Sequence, residues 1–274
     1  MSLDSLPYMV FLVLIEGAVG GAIVTFAVEL RALVTRGFLK MCSASTFVVA
    51  ALTLWASLAI GGQSVVGGYP IATGLLGATR LALGAFCLLA AVYTWTIWTE
   101  RDQAARALGL ASSAAALVSL ALAAAVFRLP AWGYIGVFSS LLLGALSLGT
   151  VTLAMVLGHW YLTTPRLSER PLNEMTAAAM VIIVAQAALV LLNVAAPVKI
   201  VPDPTRGGLA QDPTFWLRLL VGLAFPLVLA FMAWRSSLIR GMMSATGLLY
   251  LATGAVLAGE ALARGLQLAT ARPF

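Results

Sequence analysis

The chain has 274 residues, 62% of them hydrophobic and 9% charged, against roughly 25% charged in an ordinary soluble domain. That balance excludes a water-soluble enzyme. The net charge of +6 does not mark a nucleic-acid binder either, because the 16 Lys and Arg stand singly at the ends of apolar runs and never form a patch.

Eight apolar runs, at 7–34, 41–61, 72–98, 107–127, 131–162, 175–196, 214–234 and 241–269, are separated by Pro, Gly or charged residues. A membrane-spanning helix needs about 20 apolar residues. The pattern therefore predicts an all-α polytopic protein, one integral membrane domain over 1–274 with eight transmembrane helices in a bundle. The first run has no positive segment before it and is longer than the apolar stretch of about 7–15 residues in a signal peptide, so it reads as a retained span. Runs one and five exceed one membrane thickness and must tilt or project. Both are rich in glycine (Gly17, Gly20 and Gly21; Gly144 and Gly149), and small residues let helices approach closely. No convincing internal repeat is present. Pro226, inside run seven, predicts a kink and a freed carbonyl.

The longest connection, PVKIVPDPTRGGLAQDP at 197–213, carries four prolines and reads as an irregular outer loop; TTPRLSERPLN at 163–173 is its inner counterpart. The connections after runs 1, 3, 5 and 7 hold nine positive residues: Arg31, Arg36, Lys40, Arg101, Arg106, Arg166, Arg170, Arg235 and Arg240. The opposite connections and tail hold Arg128, Lys199, Arg206 and Arg272. By the positive-inside rule both termini face outward, to the periplasm or cell exterior.

Ionisable groups within spans cost several kcal/mol by most scales and mark function or tight structural pairing. Glu16, Arg80, Arg218, Glu260 and Arg264 all fall in the outer half of the membrane by this topology. Glu260 and Arg264, at i and i+4, share a helix face and can pair; Glu16 then takes Arg80 or Arg218. Two readings stand side by side. One is a set of interhelical salt bridges with arginines snorkelling to the interface. The other is a polar pocket under the outer surface that handles protons for a lipid-soluble substrate.

His159, in GHWYL, is the only histidine. It reads as an interface residue or a proton or ligand contact, and one histidine cannot form a bis-His haem site. Cys42 and Cys87 have no CxxC spacing and read as small buried hydrophobes, so no metal or haem is expected. Gln186 and Asn193 in run six read as helix-packing hydrogen-bonders, and Glu29 and Arg31 as interface charges.

Three stretches resemble the NrfD/DmsC/PsrC group of polytopic anchors of respiratory oxidoreductases: FLVLIEGAVGGAIVTFAVEL in the first span, FWLRLLVGLAFPLVLAF in the seventh and LATGAVLAGEALARG in the eighth. The likeness covers about 60 residues, including the Gly-Gly pair, an early arginine at Arg218, and a Gly-Glu followed four residues later by Arg264. It implies an anchor in a prokaryotic inner membrane that exchanges electrons and protons between menaquinone or ubiquinone and a ferredoxin-like iron–sulfur subunit on the outer face. That subunit is in turn wired to a catalytic, molybdopterin-type subunit. By position, Arg218, Glu260 and Arg264 match, and Glu16 fills the polar place before the Gly-Gly pair. Where DmsC-type anchors carry a histidine after helix 2, GGQSVVGGYP presents Gln63 and Ser64. Arg80 stands where a carboxylate is expected near the start of helix 3.

Oxidising a quinol releases two protons with two electrons, so a site needs a proton acceptor and a hydrogen-bond donor. Glu16 and Glu260 are the candidate acceptors; Arg80, Arg218, Arg264 and Gln63 are candidate quinone contacts. Two other classes remain open: a small-solute transporter, which commonly shows repeats and broken helices, and a scaffold subunit with no quinone site.

Overall fold

A computed structural model describes residues 5–66, 68–128, 133–164, 167–195, 209–272 and 274. The spans are α1 (Leu6–Arg31), α2 (Arg36–Ala59), α3 (Leu76–Trp98), α4 (Asp102–Val126), α5 (Gly133–Thr163) and α6 (Arg170–Ala195). A composite seventh follows, α7 (Pro213–Leu219) continued by a π turn (Leu220–Ala224) and α8 (Phe225–Leu238), and then α9 (Met242–Thr270). Eight of these units are long and apolar enough to cross a membrane. Exposed side chains such as Trp55, Leu81, Leu88, Val181 and Ile135 are large and apolar, as the outer surface of a bundle solvated by lipid requires.

The helices form two rings of four. In the first, α1 packs on α2, α2 on α3, α3 on α4 and α4 on α1; in the second, α5 packs on α6, α6 on α8, α8 on α9 and α9 on α5. This division is one that the sequence, with no detectable repeat, does not announce. The rings join where α1 meets α5 and α9. Glycine makes that seam possible: a Cβ on Gly20 would lie 1.8 Å from the Ala145 carbonyl oxygen, and one on Gly149 would lie 2.4 Å from the Gly20 carbonyl carbon. The two backbones touch there, so neither glycine tolerates a side chain.

An even number of spans returns the chain to the face on which α1 begins, called here the near face. The far-face ends correct the sequence-derived boundaries. Helices α2, α4 and α6 begin at Arg36, Asp102 and Arg170, several residues before the apolar runs, because backbone hydrogen bonding continues through charged residues that hydropathy assigns to loops. Their first turns are laced by ion pairs: Arg36–Asp102 at 2.5 Å, Lys40–Glu100 at 3.2 Å and Arg170–Glu174 at 2.8 Å. Arg31 also reaches Glu174, at 3.4 Å, and Arg240 reaches Glu169 at 2.7 Å. The Arg240 guanidinium holds the Glu169 carboxyl below its ordinary range. Glu29 is more than an interface charge, since its carboxylate accepts a 2.7 Å hydrogen bond from Tyr93 Oη on α3. Of the expected connections, 196–208, with Lys199 and Arg206, and Arg166 lie outside the described residues.

On the near face, between α2 and α3, a two-stranded antiparallel hairpin pairs Val65–Val66 with Tyr69–Pro70, an element that the sequence reading does not include. Tyr69 is fully buried and its hydroxyl donates to the Phe127 carbonyl; burial pushes that hydroxyl's pKa up.

The irregularity expected at Pro226 is a π turn. Proline has no N–H to return to the carbonyl four residues back, and just before it the Phe225 N–H donates to Leu220 O five residues back. Single π turns recur at functional sites.

Candidate functional site

Four charged side chains with zero exposure meet at the seam between the rings. Glu16 comes from α1, Arg218 from α7, and Glu260 and Arg264 from α9. Arg264 Nε lies 3.2 Å from Glu16 Oε1, Arg218 Nη2 lies 3.2 Å from Glu260 Oε1, and Arg264 Nη2 lies 3.5 Å from Glu260 Oε2. The pairing differs from the sequence expectation. Arg264 faces both carboxylates, and Arg218 serves Glu260 rather than Glu16. An i,i+4 relation fixes which residues share a helix face but not which neighbour a long guanidinium reaches across it.

Two carboxylates face two guanidinium groups, so each buried charge has an opposite charge beside it. This matters because an uncompensated buried charge costs several kcal/mol. Gln186 on α6 donates from Nε2 to Glu260 Oε1 at 2.8 Å, so the residue read as a packing amide is part of the cluster. Arg264 is also held from the near side. Its Nη1 donates to Gln267 Oε1, and its Nη2 donates to Ser140 Oγ and to the main-chain oxygen of Phe274, both at 2.9 Å. Ser140 Oγ in turn donates to that oxygen. Phe274, 2% exposed, stacks edge-on against Phe215 of α7. Among the described residues, neither oxygen of Glu16 nor any nitrogen of the Arg218 guanidinium is in hydrogen-bond geometry with a partner. These two groups contribute charge without saturating their hydrogen-bonding capacity.

Glycine shapes this site as it shapes the seam. A Cβ on Gly144 of α5 would sit 2.4 Å from Glu16 Oε1 and 2.7 Å from Glu260 Oε2. The two carboxylate oxygens are thus separated by no more than the sum of those distances, 5.1 Å. On the other side, Cβ atoms on Gly222 and Gly259 would lie 3.1 Å and 2.9 Å from Arg218 Nη1. The π turn and this glycine pair let the guanidinium run between α7 and α9. Sequence alone does not point to Ser140 or Gln267, and it gives Gly144 only as a packing glycine. The signal that could find them is spacing: Ser140 and Gly144 share a face of α5, and Gln267 lies one turn beyond Arg264.

Other candidates lie apart from the cluster. Arg80 donates from Nε to the Ser57 carbonyl at 3.2 Å, and from Nη2 to the Ser57 and Ile60 carbonyls at 3.0 and 2.9 Å. It closes the end of α2, because the last carbonyls of a helix have no partner within it. Gln63 is exposed in the connection after α2. His159 is exposed, with its ring edge-on to Tyr250 and Nδ1 3.4 Å from the Tyr250 hydroxyl. Cys42 is buried and Cys87 half-buried. Among the described residues, no three His, Cys, Asp or Glu side chains gather as metal ligands.

In comparison with known proteins, no family model, curated protein or solved structure matches the chain. Any functional conclusion therefore rests on the chemistry of the cluster. Its members offer two proton acceptors, two fixed positive charges and an amide donor, the four charged side chains with zero exposure.

Proposed function

We propose that the chain is the membrane anchor subunit of a respiratory oxidoreductase in a prokaryotic inner membrane. In this reading both termini face outward, and the chain exchanges electrons and protons between quinone and an iron–sulfur subunit docked on the outer face. The observation that carries the reading is the convergence of Glu16, Arg218, Glu260 and Arg264 from three spans into one charge-paired, fully buried cluster. The resemblance of the first, seventh and eighth spans to NrfD/DmsC/PsrC-type anchors supports it, and so does the bias of positive residues toward the far face.

Oxidising one quinol sends two electrons to the iron–sulfur partner and releases two protons. A carboxylate held beside an arginine accepts a proton and passes it on, while the guanidinium and the Gln186 amide fix its position. Glu260, held in position by both arginines and Gln186, and Glu16, across Gly144, are the two acceptors.

The zero exposure of all four charges favours a second reading, a scaffold whose cluster only locks the two rings together. Glu260→Gln separates the two, since it keeps shape and hydrogen bonding but removes the charge and the proton acceptor. Assembly of the whole complex at wild-type level, with quinol turnover reduced by about 100-fold or more, the scale of a lost general base, supports the anchor. Normal assembly with wild-type turnover removes the proton role of Glu260 and leaves the cluster as a structural lock.

A further inference from the structure

Toward the far face, the charged cluster ends against an apolar layer. Leu148 and Val151 of α5, Ala179 of α6, Leu229 of α8, and Ala252 and Val256 of α9 pack into one buried group. All four helices of the second ring contribute to it. Val256 and Ala252 precede Glu260 by four and eight residues, Leu148 and Val151 follow Gly144 by four and seven, and Ala179 precedes Gln186 by seven. The layer therefore begins one turn from the carboxylates and extends about 12 Å along α9, at about 1.5 Å per residue.

We propose that this layer insulates the cluster from the far face, and that the cluster takes up and releases protons through the near face alone. On this account the chain carries no proton across the membrane. The inference rests on the proton role proposed above and adds the side on which protons enter and leave.

The far side lacks carriers. No ionisable side chain occurs in 17–28 of α1, 145–158 of α5, 175–185 of α6 or 219–234 of the π turn and α8. On α9 between Met242 and Gly259 the one such group is Tyr250, which is exposed at the outer surface of the bundle. Glu29, His159, Glu174, Arg235 and Arg240 all stand beyond these stretches, at the far ends of the spans. The hydroxyls at this depth do not link up either. Thr253 Oγ1 donates to the Leu249 and Val151 carbonyls, at 2.8 and 3.5 Å, and Ser147 Oγ has no hydrogen-bond partner among the described residues. A bare charge entering such a layer finds nothing to replace its hydration.

The near side has what the far side lacks. Arg264 Nη2 donates to Ser140 Oγ at 2.9 Å, and that hydroxyl donates onward to the main-chain oxygen of Phe274. Arg264 Nη1 donates to Gln267 Oε1, one turn nearer the face. The Gln267 side chain lies against the hydroxyl of Tyr69 in the hairpin, which donates to the Phe127 carbonyl. Gln267 Nε2 is buried with no hydrogen-bond partner among the described residues, the kind of group that buried water satisfies. Hydroxyls both donate and accept, so Ser140 and Tyr69 flank a hydrated lane between the carboxylates and the near face.

Four leucines of like burial test the asymmetry without any substrate. Leu266 and Leu268, on the near side, are 2% and 3% exposed; Leu148 and Leu229, in the layer, are 7% and 5% exposed. The purified protein in micelles of dodecyl maltoside, in water enriched in oxygen-18, receives a short X-ray pulse, and mass spectrometry reads hydroxyl-radical labelling at each leucine. Radicals form where water is. The expected result is labelling at Leu266 and Leu268 with none at Leu148 and Leu229, although the layer leucines are the more exposed pair. Equal rates at all four, or faster labelling in the layer, overturn the proposal.

The second measurement reads the protons themselves. The intact complex is sealed into liposomes with its near face outward, the membrane potential is collapsed with potassium and valinomycin, and impermeant pH dyes report on each side while quinol is oxidised. Both protons of each quinol are expected at the near face with the lumen unchanged. A lumenal pH change in step with turnover overturns the insulation. If no quinol is oxidised, the quinone reading fails, and the leucine labelling still decides whether the layer is dry.

Discussion

Gly144→Ala puts the geometry of the cluster under direct strain. The added methyl group would lie 2.4 Å from Glu16 Oε1 and 2.7 Å from Glu260 Oε2, where ordinary contact begins at 3.4 Å, so the carboxylates must retreat by 1.0 and 0.7 Å. Both are ends of side chains and can move, so the helices need not separate. Stretching a 3.2 Å pair by that amount removes about 1 kcal/mol at an effective dielectric constant of about 20. Overpacking adds about 1–3 kcal/mol, and the better helix propensity of alanine returns up to about 1 kcal/mol. The expected net loss is about 2 kcal/mol. Gly84 on α3 and Gly247 on α9, where an added methyl group would have nothing within 4 Å, are the controls, and their alanine variants stay within about 1 kcal/mol of wild type. Equilibrium unfolding of the purified protein in micelles, followed by circular dichroism, measures all three. Equal stability of Gly144→Ala and Gly84→Ala refutes the reasoning.

Three more perturbations address single contacts. Arg218→Met leaves Glu260 short of a counter-charge and costs about 3–5 kcal/mol; adding Glu260→Met recovers much of that in the same unfolding assay, whereas strictly additive losses contradict the pairing. Arg80→Ala uncaps the Ser57 and Ile60 carbonyls and costs about 1–3 kcal/mol, with quinol turnover in the intact complex unchanged; a turnover defect at wild-type assembly returns Arg80 to the functional site. At the far face, the Glu169–Arg240 pair stabilises above the ordinary carboxylate pKa of 4.5, and that contribution disappears as pH falls below it through the depressed value. Glu169→Gln removes this segment of the acid dependence, read from unfolding midpoints across pH, and an unchanged profile counts against the pair.

The spans are legible because a bilayer imposes one length on every crossing segment. Runs such as 72–98, 131–162 and 241–269 lie within a few residues of the helical segments Thr73–Trp98, Gly133–Thr163 and Met242–Thr270. Boundaries slip where Arg36, Asp102 and Arg170 open helices outside the apolar run. At the site, depth can be read from sequence and partners cannot. Costly charges at similar levels point to Glu16, Arg218, Glu260 and Arg264 as a group. The choice of Arg264 for Glu16, however, depends on the α1–α5–α9 seam, set by glycine contacts such as Gly20 with Gly149, far apart in the chain. Arg80 sits at comparable depth, but the carbonyls ending α2 are within its reach and satisfy it. Gln186 looks like any packing amide until α6 and α9 are placed together.

The proton role of the cluster is tested most directly by infrared difference spectroscopy of the intact complex, recorded as quinol is added and oxidised. Proton uptake by Glu260 predicts a protonated-carboxyl band that appears on turnover, shifts in deuterium oxide and is absent from Glu260→Gln. Identical difference spectra in the wild type and Glu260→Gln contradict it.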